Sequence, residues 1–137
     1  MGTFYVCYYH VVWATKYRMP LITPQIEKLI FYSIEKKSEQ LKCPIHIMNT
    51  VADHIHIAVT IPPSKAVWEW IRDTKGITAH NINSEFPNQD EVFKWQKGYG
   101  VLTFGKKTLP YISDYIAKQK EHHASNTVEP YLEYIPD

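Results

Sequence analysis

The stretch from Asn49 to Pro63 leaves this chain few ways to fold. Ile55, Ile57, Val59 and Ile61 alternate with His54, His56, Ala58 and Thr60, the period-two pattern of a β-strand. Ile45 to Val51 reads as a second strand, and the two-residue link Ala52-Asp53 makes the pair an antiparallel hairpin. Pro62-Pro63 stops the later strand. Side chains two apart leave a strand by the same face, roughly 7 Å apart along it. His54 and His56 therefore share one face, and the isoleucines and valine share the other. The apolar face requires a core, while the paired imidazoles are a start for a metal site. The motif alone decides little: with 7 His in the chain, chance supplies about a third of one His-x-His, and two half-exposed strand histidines would look the same. Asp53 is either the turn residue or an acceptor that orients an imidazole.

The remaining elements can be read around this hairpin. Phe4 to Ala14, rich in Tyr, Val and Phe, reads as a long strand. Lys16, Tyr17 and Arg18 at its end form either a phosphate-contacting cluster or a solvated turn. Thr23-Pro24 opens a helix as N-cap and first helical residue, and Ile26, Leu29, Ile30, Ile34 and Leu41 recur along it at helical spacing. Ser64 reads as the cap of a second helix with Val67, Trp68, Ile71, Ile77 and Ile82 on its apolar stripe. Gly76 predicts a close contact or a bend there. Asn83 to Gly100 is irregular and interleaves Phe93, Trp95 and Tyr99 with Lys94 and Lys97. Such a mix either stacks bases and neutralises phosphates or is a loop pinned to the core by Phe93 and Trp95. A short strand from Val101 to Phe104 and a turn at Gly105-Lys106-Lys107 follow. A last helix runs from Thr108 to about His123 with Tyr115 and Gln119 one turn apart on one face, and the tail to Asp137 is expected along the surface.

Strand, helix, strand, strand, helix, strand is the order of a ferredoxin-like split βαβ, an α+β fold with a four-stranded antiparallel sheet. One C-terminal helix is left over. At 137 residues the chain is read as one domain, 1–137. Its net charge of +1 means that any nucleic-acid contact must come from a local patch. Cys7 and Cys43 form neither a disulfide framework nor a zinc signature and read as buried thiols. Thr3 to Val12 lacks the basic leader and cleavage site of a signal peptide. No run approaches the 18 or so apolar residues of a membrane span, so a cytoplasmic protein is expected.

Three motifs now stand together: Asp53-His54-Ile55-His56, Trp95-Gln96-Lys97-Gly98-Tyr99-Gly100, and Tyr115-Ile116-Ala117-Lys118-Gln119. From the first strand to about His123 the chain resembles the single-tyrosine HUH transposases of the insertion-sequence 200/605 group. HUH denotes histidine, bulky hydrophobe, histidine, and Ile55 fills the middle place. The resemblance implies a metal-dependent endonuclease and strand transferase acting on single-stranded DNA. In it His54 and His56 bind the metal with Gln119 as third ligand, and Tyr115, on the C-terminal helix, is the nucleophile that forms a 5′-phosphotyrosine. The ion is expected to be Mg²⁺ or Mn²⁺: imidazoles suit the softer Mn²⁺, and abundance favours Mg²⁺. The implied partners are DNA hairpins at element ends and a second copy of the chain. In that homodimer the histidines of one subunit face the tyrosine helix of the other. The long first strand, taken as a sheet edge, offers a pairing surface for it.

The chemistry agrees with these roles. A phenol with a pKa of about 10 is a weak nucleophile at neutral pH, and a cation on the scissile phosphate offsets the charge that develops on it. Arg18, Lys94, Lys97, Lys106 and Lys107 are the candidate DNA contacts. Three other readings are a domesticated transposase-derived nuclease processing repeats, a non-catalytic single-stranded nucleic-acid-binding module, and a plain metal-dependent hydrolase that would need no Tyr115.

Overall fold

The hairpin forms as its sequence predicts: β2 (Ile45–Val51) and β3 (His54–Thr60) pair antiparallel across Ala52-Asp53. The structure, a computed structural model, describes residues 2–136. β1 (Tyr8–Ala14) pairs with β3 on one side and with β4 (Gly100–Phe104) on the other, giving an antiparallel sheet of order β2-β3-β1-β4. This is the expected split βαβ. The first strand is shorter than its apolar composition suggests, and it is an interior strand. The expectation that it forms a sheet edge is therefore wrong: β4 takes the place beside it, and Phe4 and Val6 lie exposed before it.

Two helices cover one face of the sheet. α1 (Pro24–Gln40) starts where Thr23 accepts a hydrogen bond from the Ile26 amide at 3.3 Å, a cap of about 1 kcal/mol. α2 (Val67–Glu85) starts at Ala66, not Ser64: the Glu69 carboxylate accepts from the Ala66 amide at 3.2 Å and satisfies that donor. Its buried stripe runs through Trp70, Ile71, Thr74, Thr78 and Ile82. Trp68 is exposed, with the Arg72 guanidinium 5.0 Å from its ring centroid. The helix runs on through Gly76, and the expected close contact is not made there, since a Cβ would find open space. Trp13, Trp70, Phe93, Ile30 and Ile55 are among the fully enclosed side chains of this core, each contributing on the order of 1.5–3 kcal/mol by burial. Phe93 and Trp95 pin the loop before β4, with Trp95 Nε1 donating to Thr78 Oγ1 at 2.8 Å.

The other face carries a second layer. The last helix is two pieces, α3 (Leu109–Ala117) and α4 (Gln119–Ser125), broken at Lys118. The break has a tertiary cause. Asn49 Nδ2 on β2 donates to the carbonyls of Ile116 and Ala117 at 3.0 and 3.1 Å, and Lys120 Nζ reaches Glu27 and Asn49 at 2.6 and 2.7 Å. Ile112, Tyr115 and Ile116 pack on Ala58 together with Leu132 of α5 (Pro130–Glu133). The tail therefore does more than follow the surface. Ile135 packs on Val12 and Ala14, and Gln96 Nε2 donates to the Pro136 carbonyl at 2.7 Å. Gly98 and Gly100 lie directly under the tail: a Cβ at Gly98 would stand 2.6 Å from the Pro136 carbonyl oxygen, and one at Gly100 would strike that of Tyr134. Among the described residues no helix is long and apolar enough to cross a membrane.

Candidate active site

The strand register decides which side chains meet on the second face. His54, His56 and Ala58 point there from β3, and their partners Ala14, Val12 and His10 point there from β1. Because α3, α4 and the tail lie over this face, His54 and His56 are buried, not half-exposed. His54 Nδ1 is held by Asp53 Oδ1 at 2.7 Å. Asp53 is thus both the turn residue and the partner of an imidazole. His56 Nδ1 is held by His10 Nε2 at 2.8 Å. Both strand histidines therefore turn Nε2 toward the same point.

A carboxylate occupies that point. Glu133 Oε1 lies 3.1 Å from His54 Nε2, 3.0 Å from His56 Nε2 and 3.2 Å from His123 Nε2. Its Oε2 accepts the hydroxyl of Tyr115 and, at 3.3 Å, the amide of Gln119. Gln119 Oε1 lies 3.1 Å from His123 Nε2. Tyr115 is buried, stacked on His122 with ring centroids 4.6 Å apart, and its oxygen also accepts the Glu129 amide at 3.0 Å. Tyr115 and Gln119 meet here as their spacing predicts, across a helix break. Both belong to the same chain as the histidines, so within this one chain the histidines face their own tyrosine helix. His123 and Glu133 complete a group that was not assigned from sequence.

Charge follows burial and pairing. Burial opposes protonation of His54, but the carboxylates of Asp53 and Glu133 outweigh it and raise its pKa. His56 is lowered, burial being the larger effect and Glu133 opposing it. His10 is pushed down to about 3 by burial and then by His56. Burial works to raise the Glu133 carboxyl, yet hydrogen bonds from His54 and His56 hold it far below the usual carboxylate range. Tyr115 is pushed up to about 12, first by burial and then by its bond to Glu133. The donor atoms of His54, His56, His123 and Glu133 lie within 4.8 Å of one another. Imidazole nitrogens and a carboxylate oxygen are ordinary ligands of first-row divalent cations, and three ring nitrogens aimed at one anion fit a cation held among them.

The basic candidates divide. Arg18, Lys94 and Lys97 line one groove of about 1260 Å³ with Lys16, Arg72 and Lys75, and among the described residues no carboxylate lines it. Tyr17, Trp68 and Tyr99 offer exposed rings in it. Tyr17 and Arg18 both adopt left-handed backbone, φ 57° and 52°, which is uncommon for bulky residues. Thr15 Oγ1 braces the turn by donating to the carbonyls of Met19 and Asp53 at 2.6 and 3.2 Å. Lys75 clamps the groove wall through the carbonyls of Gln96, Lys97 and Gly98 at 2.8, 3.2 and 3.0 Å, and burial lowers its pKa to about 8. The charge of Arg18 helps to hold the Asp53 carboxyl low, after the larger effect of the His54 hydrogen bond, so the groove reaches toward the histidine pair. Lys106 and Lys107 lie apart from it, exposed in the turn before α3.

Comparison with known proteins gives one consistent result. The family model for "Transposase IS200 like" matches residues 3–119. The chain is 31% identical over 119 residues to the transposase for insertion sequence element IS200 of Salmonella typhimurium, covering 84% of this chain and 78% of that protein. It is 23% identical over 124 residues to the ISDra2 transposase TnpA of Deinococcus radiodurans, covering 88% and 89%. Among solved structures, a candidate transposase from Deinococcus radiodurans R1 superposes with TM-score 0.71 at 24% identity, covering 87% of this chain and 95% of that one. A REP-associated tyrosine transposase bound to a REP hairpin superposes with TM-score 0.68 at 15% identity, covering 90% and 74%.

Proposed function

The chain belongs to the IS200-like transposase family, and on that premise we propose that it cuts and rejoins single-stranded DNA through a 5′-phosphotyrosine on Tyr115, with a divalent metal held by His54 and His56. The observation that carries this reading is the convergence of the Tyr115 hydroxyl and three imidazole Nε2 atoms on the one carboxylate of Glu133. A nucleophile and a set of metal ligands that share an anion are arranged to share a phosphate.

Gln119 and His123 stand within reach as further ligands. The bound ion, Mg²⁺ or Mn²⁺, would neutralise charge on the scissile phosphate. Tyr115 would attack phosphorus: its O–P bond forms as the bond to the 3′ oxygen breaks. The phenol loses a proton and the 3′ oxygen gains one, so a free 3′-OH is left. Attack by another strand's 3′-OH reverses the step and conserves the bond energy. Glu133 is a weak base, because hydrogen bonds from His54 and His56 hold it far below its ordinary pKa. We assign it instead to the DNA-free protein, where it stands in for a phosphate and gives way when DNA binds.

The groove bearing Arg18, Lys94 and Lys97 would carry the strand toward Asp53 and the histidines, with phosphates on the cations and unpaired bases on Tyr17, Trp68 and Tyr99. Lys106 and Lys107 are left as a separate, weaker contact. Hairpins at element ends are the proposed DNA, in line with the hairpin-bound relative. A homodimer acting in the cytoplasm would bring two tyrosines to two DNA ends, as strand exchange requires. The test is formation of a denaturant-stable protein–DNA adduct on single-stranded DNA flanking the gene, in Mn²⁺.

A further inference from the structure

We propose that His10 is a positioning residue for the metal site: its Nε2 accepts a hydrogen bond from the Nδ1–H of His56, which keeps that proton on Nδ1 and leaves Nε2 of His56 as the lone pair that faces the ion. The inference rests on the metal role of His56 argued above. A histidine can ligate through Nε2 in its neutral form only if the proton is on Nδ1, and the partner of Nδ1 fixes that tautomer and the ring's orientation.

For His54 the partner is evident, since Asp53 Oδ1 lies 2.7 Å from Nδ1. For His56 the corresponding place is filled by His10 Nε2 at 2.8 Å. The sheet register puts it there: Val12 is opposite His56, so His10 is the diagonal neighbour on the same face. The rings stack with centroids 5.0 Å apart at 25°, and both are buried, 1% and 0% exposed.

Two features separate this from ordinary packing. Among the described residues His10 Nδ1 is buried with no partner, so the ring is neutral, because an imidazolium would leave a charged donor unmet. A neutral His10 with its proton on Nδ1 presents a lone pair at Nε2, which matches the Nδ1–H of a metal-bound His56. An apolar residue would fill the same space without stranding a polar atom. His10 is also not itself a ligand, since its Nε2 is committed to His56 and it stands outside the cluster of His54, His56, His123 and Glu133. The two strand histidines are thus backed differently, one by a carboxylate and one by a neutral ring.

The experiment compares parent, His10→Phe and His10→Gln proteins by Mn²⁺ titration followed by electron paramagnetic resonance. Phe keeps the stacked ring and removes the nitrogen, whereas Gln restores an acceptor. Losing such a partner typically costs about 10- to 100-fold in metal affinity, so Phe should bind Mn²⁺ more weakly by that factor and Gln should recover most of it. Equal affinity of parent and Phe protein would overturn the proposal. Nitrogen-15 NMR of the Zn²⁺-loaded parent reads the geometry even if the Phe variant fails to fold. The expected result is a proton on His56 Nδ1 with hydrogen-bond coupling to His10 Nε2, and an unprotonated His56 Nδ1 overturns the proposal. If the parent binds no metal, the metal reading itself fails, while coupling between the two rings in the metal-free protein still reports their bond.

Discussion

The hydroxyl of Tyr115 donates to the carboxylate of Glu133, 18 residues further along the same chain, and the other oxygen of that carboxylate faces His54 and His56. A tail residue thus closes the place where the proposed nucleophile and the proposed metal ligands would meet a phosphate. Leu132 and Ile135, buried on either side, hold it there.

Removing this stand-in should open the site. Glu133→Ala is expected to raise single-turnover cleavage of single-stranded DNA several-fold while weakening Mn²⁺ binding in the absence of DNA. If Glu133→Ala abolishes cleavage, the carboxylate is an obligatory ligand and the stand-in reading is wrong.

The proposed metal can be withheld or withdrawn. His54→Ala or His56→Ala should reduce Mn²⁺-dependent cleavage by about 100-fold or more, a loss of about 2.7 kcal/mol in transition-state stabilisation. Excess EDTA should do the same to the parent. Gln119→Ala should be milder, since an amide is a weak ligand and His123 lies beside it. Undiminished cleavage in EDTA would rule out a metal in the chemical step.

Groove binding has an ionic signature. Lys94→Gln with Lys97→Gln should weaken DNA binding and flatten its salt dependence, by about one unit of log–log slope per lost phosphate contact. Lys106→Gln with Lys107→Gln, outside the groove, should change the slope by less than half as much. Equal slopes for the groove double variant and the parent would make Lys94 and Lys97 solvated surface only.

We propose that the site works as it is assembled within one chain, which predicts the outcome of mixing. His54→Ala and Tyr115→Phe proteins, each inactive, should stay inactive together even when subunits exchange. Recovered cleavage would mean that α3 crosses to the histidines of a partner.

Much of this was legible in sequence because local chemistry agreed with the fold. The alternation of residues 55–61 and the Pro62-Pro63 stop fixed β3, and Thr23-Pro24 fixed the start of α1. His54, His56, Tyr115 and Gln119 were found from spacing and resemblance, and the structure brings them together. What escaped was set by distant partners. Nothing in Ala117-Lys118-Gln119 breaks a helix; Asn49 does so from another strand. Glu133 is one carboxylate in a tail without a motif, and only the packing of Leu132 and Ile135 and the glycines at 98 and 100 bring it to the site. His123 was visible in the sequence, but the turn that aims it depends on the same break.

The proposed function stands or falls on a covalent bond between Tyr115 and DNA. The most direct measurement is mass spectrometry of peptides from protein incubated with single-stranded DNA and Mn²⁺, then denatured and digested with nuclease and protease. The expected product is a nucleotide phosphate on Tyr115, lost in Tyr115→Phe, with a free 3′-OH on the released strand. Cleavage without any protein-linked phosphate, or with the phosphate on another of the 10 tyrosines, would contradict it.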